Sequence, residues 1–325
     1  MEDYMNLKKA LLIMLIALLA AASVFATGEQ ETGAVKIGIS KLLAHPALDA
    51  IEEAIIETVK ASGHDVVFET QNANGEISTA ASIAQLFKTE GMDLVVGIAT
   101  PTAQALANVF DDIPVVFATV TDVVAAGLDG LPNVAGTSDE VPIEEHYKLI
   151  QTLTGAKSVG MVYTANEANG LSAMERMKAV CEADGTTFVG AAVQNSAEVR
   201  MAAQSIVDRV DAMYVAIDNT VISAVSALAD VCNEKNVPLV SADTTSAFGT
   251  NVLIACGFDY YAAGVLTGEL VNEILDGATP EEIGTWYLTG LEYYINLDVA
   301  EAIGLEIPDE VMAKAEYIIK DGVEQ

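Results

Sequence analysis

Basic residues are scarce in this chain of 325 residues. Lys and Arg together number 15 against 47 Asp and Glu, which gives a formal net charge of -32. A surface of that sign repels phosphate backbones, so we predict no nucleic-acid partner. The acidity is typical of a soluble surface or a saline habitat, and it indicates no particular ligand.

Histidine and cysteine are rarer still. The three histidines lack the spacing of zinc ligands, so no metal site is predicted: they are His45, His64 and His146. An odd number of cysteines, each within an apolar segment, favours buried free thiols over a disulfide framework: they are Cys181, Cys232 and Cys256.

The usual catalytic patterns are also missing. The sequence has no Gly-x-Ser-x-Gly nucleophile elbow, no phosphate loop and no glycine-rich dinucleotide fingerprint after a strand. We therefore predict no catalytic residue and no cofactor, and an enzyme is the weaker class.

One apolar run stands near the start of the chain. Lys8 and Lys9 precede the segment Ala10 to Ala22, which closes on Val24-Phe25-Ala26 with small side chains at Val24 and Ala26. This layout is typical of a secretory signal peptide. The run is short for a transmembrane span, which needs about 20 residues, although an uncleaved anchor stays open. We predict an exported, periplasmic or extracytoplasmic protein whose residues 1–26 are a signal peptide, cleaved near Ala26.

Short β-branched runs then alternate with helical patterns, which is typical of parallel βαβ units. Ten strands are predicted: Val35 to Ser40, Asp65 to Thr70, Asp93 to Ile98, Pro114 to Ala118, Asn133 to Thr137, Ser158 to Thr164, Thr187 to Val193, Asp211 to Ile217, Pro238 to Ala242 and Val252 to Gly257. The sequence therefore predicts an α/β protein with two sets of five strands.

The two sets repeat each other in order and spacing, which indicates two copies of one unit. The matching pairs are Gln71-Asn72 with Gln194-Asn195, Asp93 with Asp211, and Pro114-Val115 with Pro238-Leu239. Between the copies, Val141 to Thr154 has a helical pattern without linker composition, and we interpret it as a segment that crosses between two lobes.

Polar residues follow the ends of the predicted strands, where ligands bind in open parallel sheets. If the lobes face each other, these loops converge on one cleft. The candidate ligand-binding residues of the first half are Leu43, His45, Thr100, Pro101, Thr119 and Asp122. Those of the second half are Tyr163, Glu167, Asn169, Asp218, Asn219, Thr220, Asp243, Phe258 and Tyr260.

Two of these positions suggest how charges on a ligand are held. Thr100, followed by a proline, fits the cap of a helix whose amides at Thr102 and Ala103 point into the cleft and suit a carboxylate. Asp218 occupies the equivalent position in the repeat, as a helix cap or as a partner for an ammonium. Asp243 is the second candidate for that ammonium.

At these loops the sequence resembles the ABC-transporter substrate-binding proteins related to the tryptophan- and tyrosine-binding lipoproteins of Gram-positive bacteria. The resemblance covers nearly the whole mature chain. It is carried by His45-Pro46-Ala47-Leu48-Asp49, Ile98-Ala99-Thr100-Pro101, Pro114-Val115-Val116-Phe117, Thr121-Asp122, Glu167-Ala168-Asn169, Asp218-Asn219-Thr220 and Gly257-Phe258-Asp259-Tyr260-Tyr261.

The resemblance implies a type I periplasmic-binding-protein architecture. Two Rossmann-like lobes with parallel sheets are joined by three crossovers, and they close like a hinge. The N-terminal lobe would comprise residues 27–145 and about 259–287, and the C-terminal lobe residues 146–258 and about 288–325. The chain lacks the lipidated cysteine of the lipoprotein members, which puts membrane tethering in doubt.

The resemblance also implies an extracytoplasmic solute-binding protein of an ABC importer that binds a small organic ligand, an aromatic amino acid in this group. Its partners would be a permease and ATPase complex, with membrane contact only through the permease. Aromatic side chains available for stacking are Phe117, Tyr163, Phe248, Tyr260 and Tyr261. The alternatives are a sugar- or nucleoside-type receptor of the same fold, or a ligand-sensing protein feeding a signalling partner.

Overall fold

Two largely parallel sheets form the frame of the protein. The computed structural model describes residues 33–324, so the predicted signal peptide lies outside the described residues. The first part of the chain builds five strands of one sheet with helices packed between them. These elements are β1 (Val35–Lys41), α1 (Pro46–Ala61), β2 (Val66–Asn72), α2 (Ile77–Glu90), β3 (Leu94–Ile98), α3 (Thr100–Ala107), β4 (Val115–Ala118) and β5 (Val134–Ser138).

The middle of the chain repeats this pattern in a second sheet. Its elements are α4 (Ile143–Thr154), β6 (Ser158–Thr164), α5 (Ala168–Asp184), β7 (Thr187–Val193), α6 (Val199–Ile206), β8 (Ala212–Val215), α7 (Asn219–Ile222), α8 (Val225–Glu234), β9 (Leu239–Ser241) and β10 (Ile254–Gly257). We call each sheet with its helices a lobe, the first and the second.

The chain then returns to the first lobe and finally to the second, which makes three crossings. The returning elements are α9 (Tyr260–Leu275), α10 (Pro280–Ile283) and β11 (Thr285–Tyr287). The last elements are β12 (Glu292–Asn296), α11 (Leu297–Ile303), α12 (Asp309–Met312), β13 (Tyr317–Lys320) and β14 (Val323–Glu324). The predicted α/β class with two lobes and three crossovers is confirmed.

The first crossing lies earlier than residue 145, where the sequence placed it. Helix α4 begins at Ile143, and Val141, Ile143 and Tyr147 all belong to the apolar core of the second lobe. The helix packs there as a whole, because its buried face is continuous from its first residue. The boundary therefore falls in the short segment between β5 and α4.

All ten predicted strands are present, with small differences at their ends. The strand order is β11-β5-β4-β3-β1-β2 in the first sheet and β14-β13-β12-β10-β9-β8-β6-β7 in the second. Strands β11 to β14 were not predicted. Strands β11, β13 and β14 are short or partly exposed, and β12 has only three apolar residues between Glu292 and Asn296, so all four lack the apolar run by which buried parallel strands are recognised. Strand β12 pairs antiparallel with β10 and extends the second sheet beyond the repeat.

Matching hydrogen bonds in the two lobes confirm the internal repeat. The Lys36 amide donates to Asp93 Oδ2 at 2.8 Å, and the Lys157 amide donates to Asp211 Oδ2 at the same distance of 2.8 Å. In each lobe this contact ties the start of the first strand to the residue just before the third. The shared aspartate therefore has a structural role.

The three cysteines are free and buried, as predicted. Burial raises the pKa of Cys181 to about 11 and that of Cys232 to about 12, so these thiols are poor nucleophiles. Among residues 33–324, no group of three or more His, Cys, Asp or Glu side chains is placed to hold a metal ion. Within the same residues, no helix has the length and apolarity that crossing a membrane requires.

Helices α1 and α9 pack against each other, and their N-termini supply two residues of the site described below. A Cβ atom at Gly264 of α9 would lie 2.6 Å from the Ile51 carbonyl oxygen and 2.7 Å from Ala54 Cβ. Both contacts are far below van der Waals distance, so only glycine permits this approach. The spacing of the two helices fixes where His45 and Tyr260 stand.

Substitution of Gly264 by valine is expected to lower the free energy of unfolding by about 1–3 kcal/mol, because the added methyl groups overpack the contact between α1 and α9. Ala262→Val on the exposed face of α9 is the matched control, since it adds a β-branched residue to the same helix without meeting α1. Urea denaturation measures both. Valine has a higher helix propensity than glycine, so an unchanged or increased stability of Gly264→Val would show that the contact between α1 and α9 accommodates the larger side chain.

Candidate functional site

The carboxyl ends of the strands in both lobes meet at one narrow cavity. About 10 Å³ of it is open to the centre of a water molecule, roughly the room that one ordered water needs. The lining contains several carboxylates and hydroxyls and few apolar groups. It consists of His45, Ala47, Leu48, Thr100, Thr119, Thr121, Asp139, Asn169, Ile217, Asp218, Asn219, Ile222, Asp243 and Tyr260.

The structure brings about half of the predicted site residues to this cavity. Those are His45, Thr100, Thr119, Asn169, Asp218, Asn219, Asp243 and Tyr260. Six residues of the lining were not predicted: Ala47, Leu48, Thr121, Asp139, Ile217 and Ile222. Asp139 follows β5 directly, so the strand-end rule could have found it had the loop after this strand been considered.

The remaining predicted site residues do not line the cavity: Leu43, Pro101, Asp122, Tyr163, Glu167, Thr220 and Phe258. Glu167 and Thr220 form a layer directly behind the lining. Leu43 and Pro101 are buried in the first lobe, since Pro101 belongs to the first turn of α3.

Tyr260 alone, of the aromatic side chains predicted to stack on a ligand, reaches the cavity. The structure does not place the others there: Phe117, Tyr163, Phe248 and Tyr261. Phe117 and Tyr163 lie within strands, and side chains of a strand point alternately to the two faces of its sheet, where helices pack. Phe248 and Tyr261 are exposed. Of the aromatic residues in that prediction, Tyr260 is therefore the one that remains a candidate for stacking on a ligand.

Helix α3 starts differently from the prediction. Its cap residue is Ala99, whose φ of 78° lies in the left-handed region, and Thr100 is the first residue of the helix. The Ala103 amide donates to the Ala99 carbonyl, so it does not point free into the cleft. The Thr102 hydroxyl donates to the same carbonyl at 2.9 Å. The true equivalent of Asp218 in the repeat is therefore Ala99.

Asp218 is held by the second lobe itself. Its carboxylate accepts hydrogen bonds from the Thr164 amide and the Thr164 hydroxyl, each at 2.6 Å, and from the Val221 amide at 3.1 Å. It thus caps α7 and ties this helix to β6. Burial, together with the charge of Glu167, raises the pKa of Asp218 to about 7.

Glu167 is the second fully bonded carboxylate. It accepts from Asn219 Nδ2 at 2.7 Å, from the Thr220 hydroxyl at 2.6 Å and from the Thr220 amide at 3.1 Å. Asn169 Nδ2 donates to the Ile217 carbonyl at 2.8 Å, while Asn169 Oδ1 is buried without a partner. These bonds make the second-lobe wall a connected polar network.

Asp139 of the first lobe and Asp243 of the second are bonded on one oxygen only. Asp139 Oδ1 accepts from the Thr121 hydroxyl at 2.9 Å. Asp243 Oδ1 accepts from the Thr245 hydroxyl at 2.5 Å and from the Ser246 amide at 3.1 Å. Within the part of the chain that the structure describes, Oδ2 of each forms no hydrogen bond. Both side chains are almost fully buried, at 1% and 2% exposure.

Comparison with known proteins identifies the family of this chain. The family model described as ABC transporter substrate binding protein matches residues 36–319. The chain belongs to the family of ABC transporter substrate-binding proteins. It is 33% identical to the "Tyrosine-binding protein" of Clostridioides difficile, over 83% of this chain and 81% of that protein.

Two solved structures show the same fold. An ABC domain from Streptococcus pneumoniae in complex with L-Trp has a TM-score of 0.82 and 31% identity, covering 87% of this chain and 100% of that chain. A ligand-free, open structure of a substrate binding protein from Clostridium difficile has a TM-score of 0.66 and 30% identity, covering 88% and 99%. At similar identity, this chain is thus more similar in shape to the L-Trp complex.

A hydrogen bond between the lobes accords with a closed arrangement of this substrate-binding protein. The Ser172 hydroxyl of α5 donates to Asp122 Oδ2, while Asp122 Oδ1 accepts from the Ala125 amide at 2.8 Å within its own loop. Asp122, predicted to contact a ligand, therefore lies at the rim and contacts the other lobe. In the loop after β4, Thr121, the residue before Asp122, lines the cavity instead.

Asp139 makes the stability of this substrate-binding protein depend on pH. Burial, with a smaller effect from the charge of Asp243, raises the pKa of Asp139 to about 7. Between about pH 4 and pH 7 the folded protein therefore keeps a proton that the unfolded chain has released. The contribution of this group to the free energy of unfolding falls as the pH rises through that range.

Asp139→Asn is expected to gain stability relative to the wild type by roughly 2 kcal/mol as the pH rises from about 5 to about 8, because the amide keeps the acceptor for Thr121 and carries no charge. Thermal melts of both proteins across this range measure the difference. Taking the difference cancels the titration of Asp218 and of the histidines. A constant difference would show that Asp139 keeps an ordinary pKa.

Proposed function

We propose that this chain is the solute-binding component of an ABC importer and that it holds an aromatic amino acid in the cleft between its lobes. The observation that carries the proposal is the convergence of buried carboxylates and hydroxyls from both lobes on one cavity. Family membership and the names of the relatives, one tyrosine-binding and one bound to L-Trp, support it.

The chemistry of the lining suits a zwitterion with an apolar side chain. Carboxylates offer partners to an ammonium, and the Thr100 hydroxyl at the start of α3 offers a donor to a carboxylate. Leu48, Ile217 and the ring of Tyr260 provide apolar surface for an aromatic group. A sugar or a nucleoside offers no cation to so acidic a lining, which favours the amino acid.

The residues at the site fall into two groups, those that line the cavity and those behind the lining. We assign direct contact with the ligand to His45, Thr100, Thr119, Thr121, Asp139, Asn169, Asp218, Asn219, Asp243 and Tyr260. Glu167 and Thr220 support this wall from behind. The protein binds and releases its ligand without chemical change, and it delivers the ligand to a permease and ATPase complex. We further propose that the chain is exported and cleaved near Ala26.

The first test is direct titration. We expect calorimetry to show binding of L-tryptophan, L-tyrosine or L-phenylalanine, and small-angle scattering to show a smaller radius of gyration on saturation, because the cleft must shut to desolvate a small molecule. Ribose, uridine and myo-inositol serve as neutral comparisons. Binding of one of these in preference to all three amino acids would contradict the proposal.

The contact between Asp122 and Ser172 is expected to slow ligand release, since it forms only when the lobes are closed. Removing a hydrogen bond to a charged group at this rim costs about 1–2 kcal/mol, so Ser172→Ala is expected to release ligand roughly 5- to 30-fold faster. Ser205→Ala is the matched control, because that hydroxyl bonds only within its own lobe. Stopped-flow displacement measures both, and equal rates would show that the contact does not hold the lobes together.

A further inference from the structure

The cavity contains a pair of carboxylates that the chain itself leaves half unbonded, one from each lobe. Asp139 enters from the end of β5 and Asp243 from the end of β9. Each uses Oδ1 for hydrogen bonds within its own lobe, and each lines the cavity. The charge of Asp243 acts on Asp139 across the cleft, so the two groups repel each other when both are ionised.

Two further polar atoms of the lining are buried without partners. The Tyr260 hydroxyl belongs to a side chain that is 3% exposed, and Asn169 Oδ1 to one that is 1% exposed. Most buried polar groups in proteins have a partner, so atoms left without one in a cleft indicate a ligand. Tyr260 lines the same cavity as Asp139 and Asp243, and burial together with the charges of these two acids raises the pKa of its hydroxyl.

The described part of the chain supplies no lysine or arginine to this lining. Lys41 stands at the end of β1, but its ammonium is taken up by Asp49 and Glu52 of α1. His45 is the one base of the lining, and burial lowers its pKa, which favours the neutral ring. The pair of carboxylates therefore has no internal counter-ion.

We propose that the ammonium of the ligand sits between Asp139 and Asp243, with Asn169 Oδ1 as a third acceptor, and so joins the two lobes through its positive charge. This inference rests on the proposed function, and it specifies which charge of the amino acid closes the cleft. It moves the ammonium away from Asp218, the residue favoured by the sequence, whose carboxylate already accepts three hydrogen bonds. Asp218 then still lines the cavity and caps α7, but it does not hold the ammonium.

The test compares two ligands in four proteins. Calorimetric titrations of L-tryptophan and of 3-(indol-3-yl)propionate, which lacks only the ammonium, are made with the wild type, Asp139→Asn, Asp243→Asn and the exposed control Asp112→Asn. Charge-assisted hydrogen bonds are worth about 1.5–3 kcal/mol, so each cleft variant is expected to weaken L-tryptophan binding by about 10- to 150-fold. The propionate is expected to bind the variants at least as well as it binds the wild type.

The ratio of the two affinities is the decisive quantity, because a change in it reports an interaction with the ammonium alone. We expect the preference for L-tryptophan to fall in both cleft variants and to persist in Asp112→Asn. Equal losses for both ligands would mean that the two acids only shape the cleft, and unchanged affinities would return the ammonium to Asp218. Either result overturns the inference while leaving the proposed function intact. Thermal melts confirm that the variants fold.

Failure of the proposed function is a separate outcome. Should the wild type bind none of the aromatic amino acids, the same proteins are titrated with the other amino acids, with tryptamine and with neutral solutes. The inference stands if the compounds that bind carry a cationic nitrogen and lose affinity in Asp139→Asn and Asp243→Asn. A neutral compound that binds the wild type and both variants equally would overturn it.

Discussion

Burial of negative charge at the cleft is the constraint around which this structure is arranged. Four carboxylates lie nearly out of solvent, and an ionised carboxylate in such surroundings is costly unless donors reach it. The second lobe meets that demand for two of them. Glu167 and Asp218 together accept hydrogen bonds from hydroxyls, amides and an asparagine side chain that the end of β6 and the start of α7 supply, next to the loops that carry the two acids. These loops are therefore fixed by the acids they surround.

Local backbone geometry serves the same constraint. Gly170 stands beside Asp218, and a Cβ there would lie 2.4 Å from Asp218 Oδ2, so glycine is what lets α5 approach the carboxylate. In the first lobe the equivalent helix start carries Ala99 in the left-handed region and no acid. The two copies of the repeat have thus diverged at one position. The second lobe buries charge there, while the first presents a helix start and the Thr100 side chain.

The sequence predicts the frame well because buried parallel strands and the loops after them leave strong patterns. It predicts the site less well, since a pattern does not tell which of two consecutive loop residues points inward. Thr121 and Asp122 illustrate this: the hydroxyl faces the cavity and the carboxylate faces the other lobe. Asp139 was missed because the segment after β5 reads as the start of a crossing. The pairing of Asp139 with Asp243 depends on how two distant loops face each other, which no local pattern encodes.

Once the pH rises past about 7, the raised pKa of Asp139, the half-bonded pair holds two like charges in the closed form, and the described lining offers no lysine or arginine to balance them. Bringing the lobes together moves Asp139 and Asp243 into one water-poor space, where repulsion between like charges strengthens as the dielectric falls. The bond between Asp122 and Ser172 opposes this only from the rim. A ligand shifts the equilibrium between open and closed lobes only by the difference in its affinity for the two forms. A ligand group that relieves the repulsion between the two carboxylates therefore favours the closed form, in addition to the contacts that the group makes. A residue placed to bind charge thus makes the unliganded closed form less stable, and the equilibrium between open and closed lobes then depends on the charge of the ligand.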